Sequence, residues 1–130
     1  MRFIVTGATG AIGMSLLSLL VNEGHEVTVL VNPDSARKQR LQLFPRLTLI
    51  DCGAQDYEKL ELSGPFDIFI HMAWNGGKDR NSVATNFDST IQSVNSVDLA
   101  NRLGCSTFLA TGSQAECGPQ NVALDEFTFC

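Results

Sequence analysis

Three glycines at three-residue spacing, Gly7, Gly10 and Gly13, constrain this chain more than any other feature. An apolar run, Phe3-Ile4-Val5, leads into them, and an apolar helical pattern from Ile12 to Val21 leads out. A glycine triplet alone is a weak signal, but between an N-terminal strand and a helix it describes a phosphate-binding turn. Gly7 is expected to take a backbone conformation closed to residues with a Cβ. Gly10 lets the main chain approach a diphosphate, and Gly13 lets the helix pack closely on the strand. The helix N-terminus then offers amide groups and a partial positive charge to an anion. Thr9, Ala11 and Ile12 complete the cradle, and the ligand that suits it is a dinucleotide.

Strand and helix alternate from that turn onward. Arg2–Thr6 reads as a first strand, buried on both faces as in a parallel sheet. The helix predicted over 11–23 places Ile12, Leu16, Leu19 and Leu20 on one stripe, with Gly24 as its stop. A second strand over 25–31 completes a right-handed βαβ unit. A polar helix follows over 36–44, capped by Ser35 and ended by Pro45. The remaining elements are a strand over 47–51, a short helix over 55–62, a strand over 67–72, a polar loop from Trp74 to Asn81 with Gly76-Gly77, a long helix over 82–103 and a strand over 105–110. This alternation implies a doubly wound parallel sheet (a Rossmann fold), strand order 3-2-1-4-5, with the ligand crevice beside strand 1 where the order reverses. The carboxyl ends of strands 1, 2, 4 and 5 should wall it.

The 130 residues make one domain, 44% hydrophobic and 18% charged, with a net charge of -5. An acidic chain is unsuited to nucleic acid or an anionic membrane. No apolar run approaches the roughly 18 residues a membrane span needs. The N-terminus lacks the apolar core of a signal peptide. Cys52, Cys105, Cys117 and Cys130 show no metal-ligand spacing, so no metal is expected, and they read as reduced thiols in a cytoplasmic protein.

Several residues should reach the crevice. An acidic residue usually closes the second strand and holds the adenosine ribose; here Val31 or Asn32 stands there, and Asp34 lies further on. Arg37, Lys38 and Arg40 follow, either a solvated helix face or cations that meet a 2′-phosphate, so NAD and NADP both stay open. Asp51-Cys52 either reads adenine, through the carboxylate and the next amide, or caps a turn. His71, inside an apolar run, reads as a core histidine rather than a general base. The backbone of Met72-Ala73-Trp74 lines the nicotinamide side. Thr111 and Ser113 end the fifth strand, where hydroxyls either bond a substrate or start a local turn.

Taken together these residues resemble the extended short-chain dehydrogenase/reductase family, the NAD(P)-dependent epimerases and dehydratases acting largely on nucleotide sugars. Thr6-Gly7-x-x-Gly10-x-x-Gly13 is similar to that family's T-G-x-x-G-x-x-G loop. Asp51 with Asp56 resembles its D-x-x-D stretch, at longer spacing, and Ile70-His71-Met72-Ala73-Trp74 its I-H-L-A-A. Asn86-Phe87-Asp88-Ser89-Thr90 is similar to N-V-x-G-T, whose Asn supports the active site and places Asn86 beside the cofactor. Thr111-Gly112-Ser113-Gln114-Ala115-Glu116-Cys117-Gly118 is similar to S-S-S-x-x-x-Y-G, which implies Ser113 as the catalytic hydroxyl. There are departures. Cys117 stands in place of Tyr and Gly112 in place of Ser, and the family's Tyr-x-x-x-Lys proton donor is not found before Cys130; the single tyrosine, Tyr57, precedes Ser113.

The resemblance therefore implies the NAD(P)-binding half of a longer enzyme, residues 1–130, truncated before its substrate region and inactive alone. The parent would act on a sugar nucleotide by transient hydride transfer. The alternatives are a non-catalytic NAD(P)-sensing regulator, or a reductase on the same fold. A homodimer through the 82–103 helix is the expected assembly.

Overall fold

The computed structural model describes residues 1–75, 81–119, 121 and 123–128; the expected Gly76-Gly77 loop and Cys130 lie outside them. Five parallel strands, β1 (Arg2–Thr6), β2 (Glu26–Val31), β3 (Thr48–Asp51), β4 (Ile68–His71) and β5 (Thr107–Ala110), form one sheet in the order β3-β2-β1-β4-β5. Two α-helices, α1 (Ala11–Asn22) and α2 (Val83–Arg102), make the long crossovers. The expected order is the observed one.

Continuous apolar strands are needed because both sheet faces are covered. In β1, Phe3 and Val5 point into a core with Val27, Val29, Val31, Ile70 and the α1 residues Leu17 and Leu20. Ile4, between them, points the other way, into a core with Leu30, Phe69, Tyr57 and the α2 residues Leu99, Ala100 and Leu103. Period-two alternation along a strand thus serves two cores rather than a core and solvent. Registry pairs Phe3 with Val27 and Ile68, so that the carboxyl ends of β1, β2 and β4 finish level with one another.

The buried side of α1 keeps part of the expected stripe, Leu20 in the core and Leu16 packed partly buried against it, and departs from the rest. Gly13, Leu17 and Leu20 are buried, whereas Ile12 is 69% and Leu19 54% exposed. The glycine fixes the face: a Cβ on Gly13 would sit 2.6 Å from Ala8 Cα, so this residue must face the turn. The residues four and seven positions on then share its side. The two short helices expected over 36–44 and 55–62 are 3-10 segments, Lys38–Leu43 and Ala54–Lys59. Each buries one large side chain, Leu41 and Tyr57, too narrow an apolar stripe to hold an α-helix. The first is not capped by Ser35 as expected: its N-cap is Arg37, with no side-chain cap bond, and the Ser35 carbonyl accepts from Lys38 N–H at 3.0 Å in the turn before it. Gly24 and Gly104 end α1 and α2 with φ of 79° and 73°, the left-handed conformation expected of helix stops.

Cys52 and Cys105 are free thiols, but Cys117 is disulfide-bonded, which corrects the expectation of four reduced cysteines. Among the described residues no helix is long and apolar enough to cross a membrane, and no group of His, Cys, Asp and Glu could hold a metal ion.

Candidate cofactor and substrate clefts

The turn after β1 is shaped by two close approaches. Gly7 has φ of 70°, and a Cβ there would lie 2.4 Å from the Met72 carbonyl carbon, so both the conformation and the passing end of β4 require glycine. Gly10 is the N-cap of α1 and has no side chain to satisfy the first amides. The Met14 amide, at 2.9 Å, is the one that takes the Gly10 carbonyl. The preceding amides of Ala11, Ile12 and Gly13 therefore have no acceptor within the helix. No acidic side chain lies in the first turn to compete for them. An added Cβ on Gly10 would meet only the Gly7 carbonyl, at 3.3 Å, so the space beyond it is open.

That space is a cleft of about 300 Å³ at the carboxyl edge of the sheet. Gly7, Thr9 and Gly10 form its floor; Asn32 at the end of β2, Cys52 after β3, and Met72, Ala73 and Trp74 after β4 form its walls. Eight of the expected dinucleotide contacts are thus brought together. Ala11, Ile12 and Gly13 lie in the first turn of α1, outside the lining, with only their main chain directed to the turn. Asp51 does not line the cleft, because its carboxylate pairs with Lys38. The Cys52 amide, assigned to adenine from the sequence, donates instead to the Val31 carbonyl at 2.9 Å. Ala54 and Gln55 make the wall at that end. Asn86, in the first turn of α2, lines neither this cleft nor the next.

A second cleft, of about 670 Å³, opens between α2 and the end of β5. Thr111 and Ser113 line it, together with Val94, Val97, Phe108 and Glu116. Met72, Ala73 and Trp74 border both clefts, so the segment leaving β4 is the partition between them.

The partition is pinned by a buried polar chain. His71, 5% exposed, has Nδ1 2.9 Å from Thr6 Oγ1 and Nε2 3.1 Å from Ser93 Oγ. Ser93 Oγ donates to the Ser89 carbonyl at 2.9 Å, so it accepts from Nε2–H. The Nδ1 atom is then the acceptor for Thr6 O–H, while Thr6 Oγ1 accepts from the Met72 amide at 3.3 Å. The assignment gives a neutral imidazole, and burial pushes its pKa below the ordinary 6.5. His71 is a core histidine, as its apolar setting suggests, and holds β1, β4 and α2 together just beneath Met72.

Sequence reasoning missed Tyr57, Asn75 and Gln92, all of which line the first cleft. Asn75 Nδ2 donates to Gln92 Oε1 at 3.3 Å, a contact across 17 residues that no local pattern announces. From the sequence Tyr57 stands out only as the single tyrosine, preceding Ser113; burial pushes its phenol well above the ordinary range, so it stays protonated and neutral.

A family model described as the NAD dependent epimerase/dehydratase family matches residues 3–128. The chain belongs to that family. Its relatives include UDP-glucuronic acid decarboxylase 1 of Danio rerio, 29% identical over 92% of this chain and 30% of the relative. Among solved structures, a UDP-galactose 4-epimerase superposes with a TM-score of 0.79 at 28% identity, over 94% of this chain and 41% of that one. UDP-glucuronic acid 4-epimerase from Bacillus cereus, in complex with NAD, superposes with a TM-score of 0.74 at 22% identity, over 99% and 45%. The family match covers the strand–turn–helix start and both clefts. This member spans less than half the length of the proteins it resembles.

Proposed function

We propose that the chain forms the dinucleotide-binding half of an epimerase or dehydratase that acts on a nucleotide sugar. The observation that carries this reading is the turn after β1, where glycine is needed at Gly7 for fit and at Gly10 for access, and the first amides of α1 stand over an open cleft. The glycine turn and the open cleft above it suit the diphosphate of a dinucleotide. The amide groups around Gly10 and at the head of α1 would hold the diphosphate. The walls at Asn32 and Gln55 would take the adenosine end, and Ala73 and Trp74 the nicotinamide end. When bound, the dinucleotide would supply a hydride acceptor and donor at the Ala73 and Trp74 end of the cleft. The second cleft would admit the sugar, with the Ser113 hydroxyl at the end of β5 orienting the reacting C–O and Thr111 beside it. The relatives, named for their action on UDP-glucuronic acid and UDP-galactose, supply the substrate class. A homodimer through α2 completes the proposal.

Titration with NADH, followed by nicotinamide fluorescence, tests it. Gly10→Val would fill the open space with a side chain. Overpacking of this kind costs about 1–3 kcal/mol, so affinity should fall about tenfold or more, with the melting temperature close to that of the parent. Unaltered affinity in a folded Gly10→Val protein removes the cradle from the cofactor site.

A further inference from the structure

The family description specifies NAD, yet the adenosine end of the cleft is unlike an NAD site. We infer that the first cleft selects a 2′-phosphorylated dinucleotide, NADP(H), and that Arg37 is the residue that selects it; this rests on the dinucleotide reading above. A site for NAD carries a carboxylate at the end of the second strand, which accepts the ribose 2′-hydroxyl and repels a phosphate in its place. Here β2 ends in Val31, 4% exposed and packed in the core, followed by Asn32. No carboxylate lines the cleft at all among the described residues, and Arg37 is the one charged side chain that does.

The neighbouring charges leave Arg37 in that role. Lys38 is engaged with Asp51, so these two charges cancel outside the cleft. Asp34 is outside the lining, its amide donating to Asn32 Oδ1 at 2.9 Å. That bond uses an acceptor of Asn32, and the side chain's NH₂ group can only donate, which suits a phosphate oxygen. Ser35, which also lines the cleft, supplies a hydroxyl. Arg37 makes no ion pair among the described residues. Its planar guanidinium can meet two phosphate oxygens at once. Burial keeps the Cys52 thiol and the Tyr57 phenol protonated, so neither adds a negative charge.

The test is titration of the purified full chain with NADPH and NADH side by side, in the parent, in Arg37→Gln and in Asn32→Asp, with melting curves to verify folding. A hydrogen bond to a charged group is worth about 1.5–3 kcal/mol, so NADPH should bind about 10- to 100-fold tighter than NADH. Arg37→Gln should remove most of that advantage and leave NADH affinity within about twofold. Asn32→Asp, which restores the carboxylate while keeping an acceptor for the Asp34 amide, should turn the preference toward NADH. Equal or tighter binding of NADH by the parent overturns the inference, as does an Arg37→Gln change that weakens both cofactors alike. Binding of neither overturns the dinucleotide reading, and the preference falls with it.

Discussion

His71 shows how one side chain can read as catalytic chemistry and act as architecture. Its two nitrogens are occupied by Thr6 and Ser93, and the hydroxyl of Thr6 passes the constraint on to the Met72 amide. A neutral buried imidazole has a consequence for pH. As pH falls through about 6.5 the unfolded chain takes up a proton on this residue, and the folded chain does so only at lower pH. Below 6.5 the unfolded state therefore binds more protons, so stability is full above that value and is lost as pH falls toward the folded pKa. The loss is about 1.4 kcal/mol for each unit separating the two values. Melting curves between pH 8 and 5 should show the decline, and His71→Asn should flatten it while lowering stability throughout. An undiminished slope in that variant would place the titration elsewhere. The contrast with Gly7 is instructive: its left-handed backbone could be read from spacing, because a turn has few solutions. The partnership of Asp51 with Lys38 could not, because it depends on where a 3-10 segment sets down a flexible side chain.

At the scale of elements, strands were legible and helix faces were not. Runs such as Phe3-Ile4-Val5 can only be buried on both sides, so the number and order of strands follow from the alternation of elements. In α1 too many positions are apolar for periodicity to choose a face, and the decision falls to Gly13 against Ala8. In α2 the face toward the sheet carries Ser89 and Ser96 beside Leu99 and Ala100, and a hydrophobic pattern would assign the two serines to solvent. Ser89 and Ser96 are tolerated there because their hydroxyls donate back to the Thr85 and Ser93 carbonyls. The observed face of α1 gives a clean comparison. Leu17→Ala removes a fully buried side chain and should cost about 2–5 kcal/mol. Leu19→Ala, although it stands on the stripe expected from the sequence, should stay within about 0.5 kcal/mol. Denaturant unfolding of the two variants checks this, and equal losses would mean that α1 is rotated from the position described.

For the whole molecule, the two cores leave a third apolar surface unaccounted for. Val83, Phe87 and Ile91 recur every four residues on α2, and Phe87 is 64% exposed. This stripe lies opposite the serine-bearing face, so it does not belong to the sheet, and Val94, three residues beyond Ile91, continues it into the wall of the second cleft. An apolar helix stripe left exposed calls for a second partner, and the proposed homodimer supplies it by pairing α2 with its copy. Like charges placed at such a seam face each other across the two-fold axis. Phe87→Glu combined with Ile91→Glu should therefore convert the dimer to a monomer in light scattering at micromolar concentration. Both residues lie outside the lining of the cofactor cleft, so the dinucleotide titration should persist. A dimer that survives the double change places the association elsewhere, such as at the outer strands β5, with exposed Leu109, and β3, with exposed Leu49. A parent protein that is monomeric at the same concentration removes the α2 pairing altogether.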